Sequence, residues 1–224
     1  MSISEPATLA TDDLLAGVAI ALGWDLLRRN RSDPRRSRRF WGGALVVLGL
    51  AALAGGTWHG FVNTLPERPA AILWKTTMGL VGVADLLMLC GSIAAAIPRR
   101  WQRPAMAAAL AKLVVYAMIA SAHDEYRYVV FDSVVSFLAI LLIHAIPGSV
   151  RNEPGARFIL AGLLLSCVAA AVQLLRIAPH PRFNHNDLYH LIQVGAIVTL
   201  YRGARALQDR GPGREPAQSA RIPV

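Results

Sequence analysis

Seven long apolar stretches constrain this chain more than any other feature of its sequence. They cover residues 12–28, 40–63, 73–97, 104–122, 126–147, 157–178 and 187–206. Each is close to the ~20 residues that a helix needs to cross a bilayer, although the first is short and contains Asp25. Only 17% of the 224 residues are charged, against about a quarter in soluble domains. We therefore predict an all-α integral membrane protein, a bundle of seven transmembrane helices within residues 1–206.

Arginine is concentrated in alternate connections between these stretches. Seven arginines lie in RRNRSDPRRSRRF, three in PRRWQRP, two in SVRNEPGAR and five from Arg202 onward, whereas the intervening connections hold five basic residues in all. Because cytoplasmic loops carry the excess of Lys and Arg, this asymmetry predicts an N-terminus outside and a C-terminus in the cytoplasm. It also accounts for the net charge of +9, so we expect no nucleic-acid partner. Residues 207–224 are rich in Pro, Gly and charge and are predicted to form a disordered cytoplasmic tail.

Other classes of site and segment find no support in the sequence. Cys90 and Cys167 both lie in apolar stretches, which indicates buried thiols rather than a disulfide. The N-terminus carries Glu5, Asp12 and Asp13 instead of the basic start of a cleavable signal peptide, so we expect none. The sequence contains no phosphate-binding glycine loop and no H-E-x-x-H motif. The last stretch has no lysine that could hold retinal.

Five of the six histidines collect near one predicted membrane face. Intramembrane ionisable residues are costly to bury and are functional candidates for that reason. The five are His59, His123, His180, His185 and His190, whereas His144 falls near the other face. This clustering is the main functional signal in the sequence.

The segment FNHNDLYHLIQ near the C-terminal end combines a helix start with two histidines. Asn184 or Asn186 suits the N-cap, and Asp187 suits the positive end of the helix dipole. Asp187 and His190 are three residues apart and can face the same direction, as in metal-binding Glu-x-x-His pairs. His185 could fold back as a further ligand if it precedes the helix. The alternative is a capped helix start with interfacial hydrogen bonds.

His59, in the sequence GGTWHGF, is the candidate partner from the second stretch, where glycines let another backbone approach closely. Zinc accepts three His, or two His and a carboxylate, and leaves a fourth position for water, whose pKa falls toward neutrality. We therefore predict a zinc site of His59, His190 and His185, with Asp187 as an alternate ligand. The competing interpretation of His59 is an interfacial histidine hydrogen-bonded to a neighbour, beside Trp58.

Buried charges in the third, fourth and fifth stretches are further candidates. Asp132 lies near the predicted depth of the second stretch's histidine and could orient a ligand or act as a general base; an ion pair with Arg127 is the alternative. Asp85 and Lys112 lie near the middle of their stretches, where a structural ion pair is our first interpretation and a proton or substrate path the second. Asp25 is expected to pair with a neighbouring arginine.

These features together resemble the CREST superfamily of seven-helix membrane proteins, which includes alkaline ceramidases, adipoQ-type receptors and Per1-like proteins. The resemblance implies an intramembrane zinc ion held by one helix-2 histidine, matched by His59, and by an H-x-x-x-H pair on helix 7, whose second member is matched by His190. Asn186 stands where the first member is expected, and Gly55 stands where the family has a serine. Asp85 could match the family's helix-3 aspartate. The string NHNDLYH resembles a divergent bacterial branch.

From these observations we expect a zinc-dependent hydrolase of a lipid or amide substrate that uses metal-bound water, in the cell membrane, with Asp132 or Asp85 as base or supporting group. The alternative is a non-catalytic receptor or transporter that uses the same outer pocket to bind a ligand or carry protons. A structural membrane partner without pocket chemistry is a third hypothesis. The expected partners are the lipid bilayer and a lipid substrate or ligand.

Overall fold

The computed structural model describes residues 3–145, 154–181 and 183–210. Seven helices account for most of them, and the described ranges contain no β-strand, only an isolated bridge between His180 and Phe183. The helices are α1 (Pro6–Ser32), α2 (Arg36–Phe61), α3 (Glu67–Ala96), α4 (Arg99–Ala122), α5 (Arg127–Ala145), α6 (Pro154–Leu174) and α7 (His185–Ala206). The all-α prediction is confirmed. The tail from residue 211 onward lies outside the described residues.

Six of these helices, α1 to α6, are long and apolar enough to cross a membrane by length and composition. The first apolar stretch, the weakest in the sequence, belongs to a helix of 27 residues that qualifies. It begins at Pro6, six residues before the predicted start, because the early polar residues of α1 find partners on α7. The helix outside the six is α7, whose first turn contains Asp187 and whose last turn contains Arg205.

Successive helices run in alternate directions, so alternate connections lie at the same end of the bundle. The two ends therefore carry different residues, mostly histidine at one and arginine at the other. One end carries the start of α1 and the connections from α2 to α3, α4 to α5 and α6 to α7; we call it the site end. The other carries the connections 33–35 and 97–98 and the segment 207–210; we call it the arginine end. His59, His123, His180, His185 and His190 belong to the site end, and His144, near the end of α5, belongs to the opposite one.

Glycines bring α1 and α2 into direct backbone contact. A Cβ added at Gly23 of α1 would lie 2.8 Å from the carbonyl oxygen of Gly42 on α2, and one added at Gly49 would lie 3.0 Å from that of Ala16. Small residues allow such close approach between membrane helices. The antiparallel pair α1–α2 is therefore a tight hairpin.

The pair α6–α7 is built in the same way. A Cβ added at Gly155 of α6 would lie 2.8 Å from the carbonyl oxygen of Gly203, and one added at Gly162 would lie 2.6 Å from Leu200 Cγ. Helix α1 also packs against α7, which joins the two hairpins. The first and last helices of the chain are thus neighbours.

Helix α3 lies at the centre of the bundle, whereas α4 lies at its edge. Of the most apolar window of each helix, 67% is buried for α3 and 17% for α4. Trp41 of α2 is fully buried against α3, where a Cβ added at Gly91 would lie 2.5 Å from its ring. Helix α3 contacts α2, α4 and α5, whereas much of the surface of α4 is exposed.

Backbone and side-chain bonds fix the arginine end. The carboxylate of Asp209 accepts hydrogen bonds from the backbone N–H of Arg36, at 2.6 Å, and of Ser37, at 2.9 Å. Leu207 is fully buried, and Arg210 donates from Nη1 to the Ala96 carbonyl at 2.7 Å. The segment that follows α7 therefore covers the start of α2 as far as residue 210.

Candidate functional site

The first turn of α7 is held by a reciprocal pair of hydrogen bonds. The Asn184 side chain accepts from the backbone N–H of Asn186, at 2.7 Å, and of Asp187, at 3.3 Å, while Asp187 Oδ2 accepts from the backbone N–H of Asn184, at 2.7 Å. This is a capping box, in which two N–H groups that the helix cannot satisfy find acceptors. The sequence left Asn184 and Asn186 open as caps, and the structure selects Asn184.

Both oxygens of Asp187 are engaged. Its Oδ2 closes the capping box, and its Oδ1 accepts from the Thr8 hydroxyl of α1 at 2.8 Å. Asp187 and Thr8 are each 1% exposed. Asp187 therefore acts as a structural link between the first and last helices in this arrangement.

A second bond between these helices joins Asp12 and His190. His190 Nε2 lies 3.2 Å from Asp12 Oδ1, and His190 Nδ1 lies 3.1 Å from the Thr11 hydroxyl. The Thr11 hydroxyl can donate its one hydrogen to the Thr8 carbonyl, at 3.0 Å, and it then accepts from Nδ1–H. In that state Nε2 carries no proton in a neutral ring. Asp12 Oδ1 and His190 Nε2 then form a hydrogen bond only when one of these two atoms carries a further proton.

His59 lies beside this pair at the end of α2. Its Nδ1 is 3.3 Å from Glu5 Oε2, yet the atom is buried without a hydrogen bond of good geometry. Its ring meets Trp58 and Trp74 edge-on, with centroids 5.1 and 6.3 Å away. This nitrogen therefore faces the Glu5 carboxylate without a well-formed hydrogen bond, and His59 as a whole lines the cavity described below.

Asp12 reaches this position because glycine occupies the facing turn of α2. A Cβ added at Gly56 would lie 2.7 Å from Asp12 Cβ, and one added at Gly55 would lie 3.9 Å from Asp12 Oδ1. The close approach predicted from GGTWHGF therefore accommodates a carboxylate. Asp12 Oδ2 is buried and has no hydrogen-bond partner among the described residues.

These groups line a small cavity at the site end, which we call the polar chamber. Its volume is about 90 Å³. The polar or aromatic side chains around it come from five helices and from the connection between α4 and α5: Asp12, His59, Trp74, Thr77, Tyr126, Gln173, Asn186, Tyr189 and His190. Acidic, imidazole, amide and phenol groups thus face one space.

An apolar cavity of about 50 Å³ adjoins the polar chamber. The two share Leu48, Val81, Tyr126 and Tyr189 as walls. The phenol oxygens of Tyr126 and Tyr189 are 3.3 Å apart. Side chains of α5 and α6 line this apolar chamber, together with residues of α2, α3 and α7. A polar space therefore opens next to an apolar one.

The carboxylates proposed as bases lie away from the polar chamber. Lys112 Nζ is 2.6 Å from Asp132 Oδ2, so the expected ion pair between Lys112 and Asp85 is wrong. Asp85 instead accepts from the Ser133 hydroxyl at 2.7 Å and lines the apolar chamber. The alternative pair of Asp132 with Arg127 is also wrong, because Arg127 contacts Glu125 at 2.8 Å.

The remaining histidines separate from this centre. His185 is the first residue of α7 and lines a different groove, beside Arg127 and Arg176. His123 is half-exposed and stacks on Tyr128. His144, at the arginine end, is 2% exposed. Of the histidines predicted as ligands, His59 and His190 therefore line the polar chamber and His185 does not.

The polar chamber contains the types of side chain that bind zinc, but these side chains are not positioned around a common point. Two imidazoles and the Asp12 carboxylate line it, and Asp12 Oδ2 and His59 Nδ1 are buried without partners. However, the described residues contain no group of three or more His, Cys, Asp and Glu that could hold a metal ion. Both nitrogens of His190 already contact protein atoms. The three-histidine zinc site stays a prediction.

Asp12 is the residue that sequence reasoning missed. In the sequence, it is one of three acids in the N-terminal segment. A signal was present nonetheless, because Thr8 and Asp12 are four residues apart in a helix, and helical residues at that spacing share one face. A polar stripe on an otherwise apolar helix predicts a buried polar partner.

Comparison with known proteins yields a family but no individual relative. No curated protein and no solved structure matches the chain. A family model described as a family of unknown function (DUF6962) matches residues 7–209, a range that includes every residue of the polar chamber. The chain belongs to this family.

Proposed function

We propose that this chain is a membrane-embedded hydrolase that acts on a lipid or amide substrate at the site end of the bundle. The observation that carries the proposal is the polar chamber with an apolar chamber beside it. An amphipathic molecule can place its head in the first and part of its chain in the second, between α5 and α6. A cavity of about 150 Å³ holds a benzene ring, so the 90 Å³ polar chamber suits a head group of few atoms.

The residues around the polar chamber suit proton transfer. His59 is the candidate base, able to accept a proton from a water molecule whose oxygen attacks the substrate carbonyl. The Asp12–His190 pair can hold a second proton between its facing atoms and donate it to the leaving group; the proton that His59 took from water then passes to the pair and restores the starting state. Asp12 thereby takes the role that the sequence suggested for Asp132 or Asp85. Asp85 stays within the apolar chamber as a polar contact for the substrate.

A zinc ion is the alternative to this proton transfer and has a changed set of donors, because side chains that hold the ion cannot also carry the protons of the steps above. The residues that would hold the ion are His59, His190 and Asp12, because these are the imidazole and carboxylate groups around one chamber. Two His and one carboxylate are a donor set that catalytic zinc accepts. When bound, zinc supplies Lewis-acid polarisation of a carbonyl. His185 lies in another groove and Asp187 is used by the capping box, so neither belongs to the proposed set.

The membrane arrangement is also part of the proposal: seven spans in the cell membrane, with the site end outside and the arginine end in the cytoplasm. With 22 residues, α7 is about 33 Å long at 1.5 Å per residue, enough for a hydrocarbon core of about 30 Å. It packs along α1 and α6, both of which qualify as spans. The excess of arginine at one end supports the orientation.

The second candidate is a non-catalytic receptor or transporter that binds its ligand in the same chambers. One observation favours it: both ring nitrogens of His190 already contact the protein, Nδ1 at the Thr11 hydroxyl and Nε2 at Asp12 Oδ1. A pair closed in this way can bind and release a proton as a ligand enters. It need not take part in bond cleavage.

Turnover of fluorescent lipids by the purified protein in nanodiscs tests the proposal. We expect cleavage of an amide- or ester-linked lipid, and a fall in kcat/KM of about 100-fold or more in His59→Gln and Asp12→Asn, since a general base contributes about 10²–10⁴. His123→Gln, a half-exposed histidine of the same end, is the matched control. Helical circular dichroism and a monodisperse elution profile establish that each variant is folded.

The outcomes separate the two candidates. If no lipid of either linkage is cleaved while a lipid still binds in a manner sensitive to His59→Gln, the receptor or transporter function replaces the hydrolase. Metal analysis of the same samples decides the zinc requirement. About one zinc per chain, lost in His190→Ala and retained in His123→Ala, supports it; turnover by metal-free protein removes it.

A further inference from the structure

A groove lined by arginine lies at the arginine end, away from the chambers. It is about 690 Å³ in volume and is lined by Arg36 of α2 and by Arg99, Arg100, Gln102 and Arg103 of α4. Four of the five residues that line it are arginines. Such a group of like charges repels itself until an anion enters.

One of the four arginines is held in place by a buried amide. Arg36 Nη1 donates to Gln102 Oε1 at 2.9 Å, and Gln102 Nε2 donates to the carbonyls of Ala94 and Ile97, at 3.3 and 3.0 Å. Gln102 is 4% exposed. Its bonds tie the floor of the groove to the end of α3, so the groove is a built feature rather than a gap between mobile side chains.

The other three arginines make no ion pair within the described part of the chain. Arg99, Arg100 and Arg103 are exposed and lie in the first five residues of α4. The N-cap of this helix is Pro98, which provides no side-chain hydrogen bond to the first turn. The positive end of the helix dipole and its unsatisfied N–H groups therefore add to the arginine charges.

The surface of α4 next to the groove indicates the source of the anion. Trp101, between two of the arginines, is 57% exposed, and aromatic residues of this kind concentrate at the membrane interface. Further along α4, Leu110, Val114 and Met118 are 53%, 53% and 69% exposed. A phosphate in the groove would thus lie at the N-terminal end of an exposed apolar surface of α4, along which acyl chains can pack.

We propose that this groove binds the phosphate head group of an anionic phospholipid, whose acyl chains run along α4. Arginine binds phosphate through two parallel N–H···O hydrogen bonds, a geometry that the ammonium group of lysine cannot provide. Basic pockets between membrane helices bind lipid head groups by the same chemistry. The site is independent of the proposed hydrolase, because neither chamber shares a wall with it.

Thermal unfolding of the purified full-length chain in detergent, titrated with phosphatidylglycerol or phosphatidylcholine, tests the site. We expect phosphatidylglycerol to raise the melting temperature more than phosphatidylcholine does. In the variant Arg99→Gln/Arg103→Gln the apparent lipid affinity should fall by about 25-fold, since each arginine near an anionic lipid contributes about fivefold. The matched control is Arg31→Gln/Arg202→Gln, which removes two exposed arginines of the same end outside the groove.

The control decides between a specific groove and general charge attraction. A loss of affinity in the groove variant with little change in the control supports the proposal. Equal losses in both variants, or equal responses to the two lipids, overturn it. Inorganic phosphate is titrated in a separate arm: if it stabilises the chain and displaces phosphatidylglycerol at matched concentration, the ligand is a free anion and the lipid proposal is wrong.

Discussion

Replacing Asp132 by asparagine perturbs the buried ion pair between α4 and α5. Lys112 Nζ lies 2.6 Å from Asp132 Oδ2 and 2.8 Å from Ser136 Oγ, and the two charged side chains are 19% and 6% exposed. Asparagine keeps the size of the side chain and removes its charge. The ammonium group then keeps only neutral acceptors, the Ser136 hydroxyl and the amide oxygen of the new asparagine.

The magnitude follows from that geometry. Removing one partner of a buried ion pair costs about 3–5 kcal/mol, because the other charge is left uncompensated. The bond to Ser136 remains, so we expect the lower limit, about 3 kcal/mol, which lowers the ratio of folded to unfolded protein about 150-fold. Lys112→Met should cost a similar amount, since it leaves the Asp132 carboxylate buried.

The double variant Lys112→Met/Asp132→Asn carries neither charge, so its cost should be about 2 kcal/mol less than the sum of the single costs. Reversible unfolding in mixtures of dodecyl sulfate and mild detergent, followed by circular dichroism, measures the free energies. Asp124→Asn is the control, because it breaks the exposed pair with Lys75, at 2.7 Å, and should cost at most about 1 kcal/mol. A cost below about 1 kcal/mol for Asp132→Asn, or strict additivity of the two single variants, would refute the reasoning.

Three further substitutions test the packing, the cap and a buried polar group in the same unfolding assay. Gly56→Ala places a methyl group 2.7 Å from Asp12 Cβ and should cost about 1–3 kcal/mol; Gly79→Ala, which meets nothing within 4 Å, should be neutral or stabilising. Equal effects of the two would contradict the close α1–α2 contact. Asn184→Ala removes the α7 cap and should cost about 1 kcal/mol, whereas an unchanged stability would show that the cap bonds contribute nothing. His144→Leu should stabilise the chain by about 1 kcal/mol, since neither ring nitrogen has a partner among the described residues; a clear loss of stability would point to an unrecognised role.

Local features of this fold could be predicted from the sequence because they depend on nearby residues. Apolar length located the helices, and Asn184 or Asn186 as cap, followed by Asp187 in the first turn, predicted the start of α7. The pair of Asp25 with a neighbouring arginine is confirmed, since Arg29 lies one helical turn away at 2.6 Å. Each of these requires only helical periodicity.

Contacts between distant helices could not be predicted in the same way. Depth alone made Lys112 and Asp85 equally plausible partners, but the rotation of each helix about its axis decides which side chains meet, and the sequence does not specify that rotation. The structure pairs Lys112 with Asp132. Asp12 was missed for a related reason: with the first helix predicted to begin at residue 12, its carboxylate belonged to an exposed end rather than to a buried face.

The bonds between α1 and α7 have a consequence for how the chain is made. Asp12 and Thr8 emerge early in synthesis, whereas His190 and Asp187 emerge near the end, 178 and 179 residues later. Until the last helix packs against α1, the acid and hydroxyl on α1 have no partner there, and α1 is held mainly by its glycine contact with α2. When α7 packs against α1, the Thr8 hydroxyl gains an acceptor in Asp187, Asp12 meets His190, and the two hairpins are joined. The polar chamber is therefore completed only when α7 packs against α1. A chain that ends before α7 would leave these polar groups of α1 without their partners.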